Sequence, residues 1–478
     1  MKPSNLLIIL LLISAAAASI TTTTGCANII PPSGGPKDTL APVLVSARPV
    51  DSARNFTGDK IVLTFDEYVQ TLDNTTENVI FSPTPKREPI YESHLKTVTI
   101  RIKDTLQPNT TYSISFGNAI KDVNENNVLK NFSYVFSTGP AIDSLTLSGK
   151  VIVAETGKVD STLIVGLYTN MDDSAVVKEK PRYITRVNRE GSFTFHNLPQ
   201  ATFAIFAMKD EGSSKKYTSR TQLFGFSDST VTSGVASTPT TLYVFVAKED
   251  KQPLKSSIAS AVPKPQGGKN AAADRRLRLS SNLTGTDLDL LSNFELSFST
   301  APYKYFDSTK VQFTTDKLEP IKGYHYERDT SNKKITLVYN WKPDTHYKLI
   351  LDSTFAEDTL GHKLLRTDTI EIHTKKESEY AEVRLRFTNL DLSKNPVLQF
   401  VQSDKVMKSH VFTSKEFYAK LFVPGEYELR ILFDENKNGI WDTGEYFTHP
   451  RVQPEKVIPV SRKINVKMNW ENEIDITL

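Results

Sequence analysis

An all-β protein built of tandem β-sandwich domains is the fold class this sequence predicts, on three observations. Short segments of alternating apolar and polar residues recur along the chain, bounded by Pro, Gly, Asn and Asp. That is the pattern of strands with one buried face. No window carries a long 3.6-residue apolar period, so helices are not expected to build the body. The chain has 478 residues, too many for one hydrophobic core and enough for about three or four domains.

The first 26 residues read as an export signal. Lys2 supplies a minimal positive region, Leu6 to Ile13 is an unbroken apolar run, and Ala15 to Ala18 extends it. The stretch is too short to be read first as a membrane-spanning helix. It ends in Thr23-Thr24-Gly25-Cys26, which holds the only cysteine of the chain. The ending resembles a bacterial lipobox, in which the cysteine is acylated and becomes the first residue of the mature protein. The resemblance implies lipidation at Cys26. The alternative, a cut after Ala18, releases a soluble protein with one free thiol. Residues 27–40 follow with Pro31, Pro32, Gly34, Gly35 and Pro36 and read as a flexible tether. Ala27 is not the Asp that, by the enterobacterial rule, retains lipoproteins at the inner membrane. The outer membrane is therefore expected, with the periplasmic or surface face left open and a lean toward the periplasmic one.

Composition narrows the function classes. One cysteine excludes internal disulfides and thiolate metal clusters. A formal net charge of +3 leaves no electrostatic footprint for nucleic acid. Beyond Cys26 no apolar run approaches the ~20 residues of a spanning helix, so membrane contact is expected through the lipid.

The body then divides. In residues 41–140, Lys60 to Phe65, Thr97 to Ile102, Tyr112 to Phe116 and Tyr134 to Ser137 alternate as strands. Pro42, Arg48-Pro49, Asp66-Glu67, Leu106-Gln107-Pro108-Asn109-Thr110-Thr111-Tyr112 and Ile120-Lys121-Asp122 punctuate them. This series resembles the bacterial Ig-like domain of the SbsA type, with Asn124 and Asn126-Asn127 in place of the usual glycine. With the preceding Pro36-Lys37-Asp38, it is similar to Ig-like envelope lipoproteins of Bacteroidetes. Pro108 and Asn109 pre-organise the turn before Tyr112, which makes these framework residues.

Residues 144–248 carry Leu147-Ser148-Gly149-Lys150-Val151, Gly191-Ser192-Phe193-Thr194-Phe195 and Asn197-Leu198-Pro199. The stretch resembles a transthyretin-like or Cna-B-like sandwich, a family that usually serves as stalk or spacer. Residues 250–275, rich in Pro, Gly, Ala and Lys, read as a linker. The chain then repeats itself. Trp341-Lys342-Pro343-Asp344-Thr345-His346-Tyr347 echoes Leu106 to Tyr112, so residues 276–375 are expected to form a second, divergent Ig-like domain. Tyr427 aligns with Phe203 and Asp434 with Asp210, so residues 380–478 are expected to form a second transthyretin-like sandwich. A duplicated two-domain unit predicts beads on a string, a rod rather than a solenoid.

Four constellations are candidate sites. Asp434-Glu435-Asn436-Lys437-Asn438-Gly439-Ile440-Trp441-Asp442-Thr443-Gly444-Glu445 fits the calcium-loop pattern in full. Asp434, Asn436, Asn438, Asp442 and Glu445 would offer side-chain oxygens, and Ile440 a carbonyl. The flanks read as strands, and the alternative is a hairpin loop tied by its own Asx side chains. Tyr303 and Tyr305, and Tyr324 and Tyr326, at i and i+2, are expected to share strand faces. They would either stack on sugar rings or pack across strands. Asp followed by Ser or Thr and then by a small or apolar residue recurs, with the hydroxyl at Thr39, Ser52, Thr105, Ser144, Ser161, Ser174, Ser229, Ser308, Ser353, Thr359 and Thr369. This resembles the O-glycosylation acceptor of exported Bacteroidetes proteins, and the same dipeptides favour turns. Cys26 is the lipidation site.

No H-E-x-x-H, G-x-S-x-G, P-loop or G-x-G-x-x-G motif is present, and none of the eight histidines pairs at i, i+4. The sequence thus predicts a non-catalytic envelope lipoprotein with a structural or adhesive role, carrying calcium at most as a structural ion. Its expected partners are the membrane and an envelope protein or glycan. A glycan-binding lipoprotein using the aromatics of the second Ig-like domain is the alternative, and a hydrolase of unrecognised type the third.

Overall fold

The computed structural model describes Ser14 and residues 37–71, 78–234, 239–248, 276–299 and 301–478. The signal, Cys26, most of the tether and the 250–275 linker lie outside the described residues. Two compact units form, Met1–Ile142 and Asp143–Leu478. Strands dominate, and among the described residues no helix is long and apolar enough to cross a membrane.

The first unit is one sandwich. Leu44–Arg48, Lys60–Phe65, Thr97–Arg101 and Ile90–His94 form an antiparallel four-stranded sheet. Phe132–Ser137, Thr111–Gly117 and Ile80–Ser82 form the opposing sheet. The predicted alternation is the packing rule. Ile61, Leu63, Phe65, Val98 and Ile100 point inward from one sheet and meet Tyr112, Ile114, Phe116, Tyr134 and Phe136 from the other.

The second unit holds three more sandwiches. In the second sandwich, Leu145–Val153 pairs antiparallel with Ser192–Leu198 and parallel with Thr240–Val244. Its other sheet runs Tyr183–Arg186, Leu163–Tyr168, Thr202–Lys209, Phe224–Phe226. The fourth sandwich repeats this order. Ala381–Thr388 pairs antiparallel with Glu416–Phe422 and parallel with Glu471–Thr477. Lys405–Val411, Pro396–Gln402, Gly425–Phe433 and Lys456–Pro459 form the second sheet. Phe203 pairs with Val231 as Tyr427 pairs with Ile464, so the two copies agree in register as well as in order.

The third sandwich repeats the first in the same way. Leu279–Ser281, Phe294–Phe298, Lys334–Val338 and His325–Arg328 form one sheet. Asp287–Leu288, Asp368–Thr374, His346–Leu351 and Val311–Thr315 form the other. Asp287–Leu288 lies parallel to Asp368–Thr374, as Ala53 bridges in parallel to Phe136 in the first sandwich.

Some strands depart from one-face burial. All six residues of Leu163–Tyr168, all three of Phe224–Phe226 and the first six of Pro396–Gln402 are buried. A strand buried on both faces needs a second layer over its outer face. What supplies that layer is the main feature of the second unit.

Candidate functional site

Over Phe224–Phe226 and Pro396–Gln402 the covering layer comes from the long connection 434–455 between Gly425–Phe433 and Lys456–Pro459, the segment that carries the calcium-loop pattern, while Gly166 of Leu163–Tyr168 faces Pro181 of the second sandwich itself. The expected strand directly after Glu445 does not form; only an isolated antiparallel bridge joins Glu445 to Val452. The connection carries two aromatic residues to two different sheets. Trp441 packs on Val397, Leu432 and Val457 of its own sandwich and donates from Nε1 to the Glu455 carbonyl at 2.8 Å.

Tyr446 crosses to the second sandwich, where it is 2% exposed. Its ring lies 5.5, 5.2 and 5.0 Å from Phe206, Phe224 and Phe226. The Arg451 guanidinium caps the ring at 4.6 Å and pairs with Asp173. Burial pushes the Tyr446 hydroxyl up to about 12.

Polar contacts surround this aromatic plug. Arg220 pairs with Glu445, and Lys248 with Asp442 at 2.8 Å. Thr443 Oγ1 donates to the Val246 carbonyl at 2.6 Å, and Gln453 Nε2 to the Phe226 carbonyl at 3.3 Å. Further along, the Val457 N–H donates to the Ala154 carbonyl at 3.2 Å, and Lys158 meets Asp404 at 2.7 Å and Glu428 at 3.1 Å. Two glycines mark where backbones touch. A Cβ on Gly157, at φ +66°, would stand 2.3 Å from Pro459 Cδ, and one on Gly444 would stand 2.7 Å from the Phe245 ring. The second and fourth sandwiches are thus clasped together, an interface that the tandem reading did not contain.

The five side chains among the six predicted calcium ligands are engaged in this clasp or in the loop's own turns. Asp434, 1% exposed, accepts backbone N–H bonds from Lys437 at 2.7 Å, Asn438 at 3.2 Å and Gly439 at 2.6 Å. Asn436 Oδ1 accepts from the Asn438 N–H and Asn438 Oδ1 from the Ile440 N–H, while both Nδ2 groups donate to Asp442 Oδ2. Lys248, with Asn436 and Asn438, holds the Asp442 carboxyl down at about 2. Glu445 turns to Arg220, and Ile440 is exposed. Among the described residues no group of three or more His, Cys, Asp or Glu is placed to hold a metal ion. The donor set does not fit calcium as it stands; the structure corresponds to the hairpin alternative. Glu455, which the motif does not include, organises the loop by accepting the Glu435 and Asp442 N–H groups, each at 2.9 Å.

The first sandwich shows what such Asx loops do elsewhere. Asp122 is fully buried, and its carboxylate accepts from the Glu125, Asn126 and Asn127 N–H groups at 2.6, 2.9 and 2.7 Å. Burial raises its pKa, but these backbone donors outweigh it and hold the group below the usual range. Tyr112 Oη accepts from the Gln107 N–H at 2.8 Å, and Thr138 Oγ1 donates to the Gln107 carbonyl at 2.6 Å. One corner of the sandwich is tied by these bonds. Residues 38–138 match the bacterial Ig-like domain, Big_5.

This Ig-like framework recurs in the third sandwich. Tyr347 Oη accepts from the Lys342 N–H at 3.3 Å, and Thr374 Oγ1 donates to the Lys342 carbonyl at 2.6 Å. Buried Asp358 accepts from the Leu360 and His362 N–H groups, both at 2.9 Å. No curated protein matches the chain. Among solved structures it is similar to the Bacillus anthracis TIE protein, at 10% identity over 94% of this chain and 75% of that one, TM-score 0.16. It is similar to the S-layer protein rSbsC(31-844), at 11% identity over 92% and 54% of the two chains, TM-score 0.16. It is also similar to BcpA, the major pilin subunit of Bacillus cereus, at 9% identity over 70% and 98%, TM-score 0.15.

The two tyrosine pairs differ: Tyr303 and Tyr305 do not share a face, whereas Tyr324 and Tyr326 do, turned onto the core rather than to solvent. A register shift falls between Tyr303 and Tyr305, and such a bulge breaks the two-residue period. Tyr303 is accordingly 4% exposed, against Phe298, and Tyr305 is 51% exposed, donating to Asp307. Tyr324 and Tyr326 meet edge to face at 5.6 Å, and each packs on a core phenylalanine.

Of the Asp-Ser/Thr positions, Thr39, Ser52, Thr105, Ser144, Ser161, Ser229, Ser308, Thr359 and Thr369 are exposed, and Ser174 and Ser353 are half-buried. The aspartates explain much of the pattern. Asp160, Asp307 and Asp352 each accept both the N–H and the hydroxyl of the Thr two residues on, a turn-closing bond.

Signals for the clasp existed in the sequence but carried no address. Leu163-Ile164-Val165-Gly166-Leu167-Tyr168 and Phe224-Gly225-Phe226 lack alternation, which announces a covered outer face without saying by what.

Proposed function

We propose that this chain is a non-catalytic cell-envelope lipoprotein with a structural or adhesive role. Cys26 would carry the lipid, residues 27–40 the tether, and the sandwiches would present a surface away from the outer membrane. One observation supports the reading above others: the chain's buried acids serve its own turns. Asp122, Asp358, Asp434 and Glu455 are the buried carboxylates among the described residues, and each accepts backbone N–H groups of its own loop. Groups so engaged brace loops and are not poised to exchange protons with a substrate. Ser and Thr exposed at the Asp-Ser/Thr turns are proposed O-glycan acceptors, which intact-mass measurement of the exported protein tests.

The reading is tested by labelling cells with an acyl analogue and comparing wild type with Cys26→Ala. Label on the wild type alone supports the anchor, and label retained on the variant removes it. Protease treatment of intact cells, with detection of the C-terminal sandwich, then separates a surface face from a periplasmic one.

A further inference from the structure

We infer that the clasp is a lock that closes residues 249–379 into a loop and carries load directly between the second and fourth sandwiches. Opening it is then a discrete step that lengthens the protein before any sandwich unfolds. The source of load rests on the anchored reading above; the lock itself does not.

Connectivity makes the case. The last strand of the second sandwich ends at Val244 and the first strand of the fourth begins at Ala381. Everything between them, the 250–275 linker and the whole third sandwich, lies between the two clasped partners in sequence. Tension entering through the second sandwich and leaving through the fourth has two routes. One is covalent, through the linker and the third sandwich. The other is the interface. While the clasp is shut the interface is the shorter route, because Val457 bonds directly to Ala154 and Asp442 to Lys248. Once it opens, load passes to the covalent route, and the stretch 249–275 alone can add up to roughly 90 Å when fully extended.

The interface is built like a lock rather than a glancing contact. It has a buried aromatic centre, Tyr446 against Phe206, Phe224 and Phe226, with charged pairs at the margin. That is the anatomy of a specific protein–protein interface with a central anchor. Each sandwich also keeps its own separate core, one around Val165, Phe203 and Ile205 and the other around Leu385, Phe400 and Ile431. Separating them therefore leaves both cores intact, which is the condition for opening without unfolding.

The test uses the full chain with a protease recognition sequence inserted between Pro263 and Lys264. After cleavage the two fragments are expected to co-elute on size exclusion as one species. Gly444→Ala places a methyl group against Phe245 and is expected to weaken fragment association by at least about tenfold, as is Tyr446→Ala. To separate lost contact from lost folding, Arg220→Glu and Glu445→Arg should each weaken association and their combination should restore it. In single-molecule pulling from the two ends, wild type should show an opening step before any sandwich unfolds, to which the stretch 249–275 contributes up to about 90 Å, and Gly444→Ala should not. Wild-type fragments that separate on cleavage would overturn the lock. So would co-elution that survives Gly444→Ala and Tyr446→Ala unchanged. Loss of the lock with acyl labelling intact refutes this inference alone; loss of labelling with co-elution intact refutes only the anchor.

Discussion

The Tyr380 hydroxyl donates to Asp289 Oδ1 at 2.9 Å and accepts from the Leu290 N–H at 2.7 Å. Tyr380 is buried and directly precedes Ala381–Thr388, the first strand of the fourth sandwich, while Leu290 packs on the core of the third, next to Asp289. One side chain thus pins the junction between them. Tyr380→Phe keeps the ring and removes both bonds, leaving the Leu290 N–H without this partner. The expected cost is about 1–3 kcal/mol, read by denaturant unfolding of the full chain, with faster proteolysis near residue 378. An unchanged midpoint would place the junction's strength elsewhere.

His373 sits between Asp287 at 2.9 Å and Asp344 at 3.2 Å, with the His346 ring stacked at 4.3 Å and Lys376 near Asp344 at 3.8 Å. Its hydrogen bond to Asp287, with that to Asp344, raises its pKa above 6.5 despite some desolvation. A raised folded-state pKa stabilises the fold fully below the unfolded value and loses that contribution as pH rises through the folded value. The third sandwich should therefore melt higher at pH 6 than at pH 9, and His373→Gln should flatten that slope.

Asp122 and Asp358 carry the opposite sign. Burial raises each, but backbone donors, joined at Asp358 by the His362 side chain, hold both below 3.8. Their contribution is full above that value and is lost as pH falls below it through the folded pKa. Asp122→Asn should lower the melting temperature at pH 7, with the gap to wild type closing at pH 2. A gap that persists in acid would mean that loop shape rather than charge is responsible.

Millimolar calcium is expected to leave the melting temperature unchanged, since Asp442 and Glu445 already meet Lys248 and Arg220. Glu445→Gln should lower it, with or without calcium. A calcium-dependent rise in wild type would show that the ion displaces those cations.

The two members of one tyrosine pair should separate cleanly. Tyr303→Ala removes a core ring and is expected to cost about 3–5 kcal/mol by analogy with other buried aromatics. Tyr305→Ala, at the surface, should stay within about 0.5 kcal/mol. Equal effects in a thermal melt would contradict the bulge between them.

The contrast between these tyrosines shows where sequence reading succeeds and stops. Strands such as Lys60–Phe65 were legible because alternation is a local signal and their burial follows it. The corner of Tyr112 was legible because Pro108 and Asn109 are local turn formers, and Asn109 indeed adopts φ +49°. Tyr303 and Tyr305 were misread because one extra residue in a strand reverses every face after it. The calcium pattern misled for a chemical reason: carboxylates and amides at alternate positions suit a metal and a self-capped loop equally well. Tyr446 was invisible, since nothing near it in sequence names Phe206 or Phe226, over 200 residues away.

The connection 434–455 also makes the two related sandwiches non-equivalent. The fourth supplies Tyr446 as a plug; the second supplies the socket of Phe206, Phe224 and Phe226. The fourth sandwich's own outer face is filled from within by Trp441. A third copy appended after it would find no vacant socket. The two copies form a directional couple that terminates itself, rather than a repeat free to polymerise.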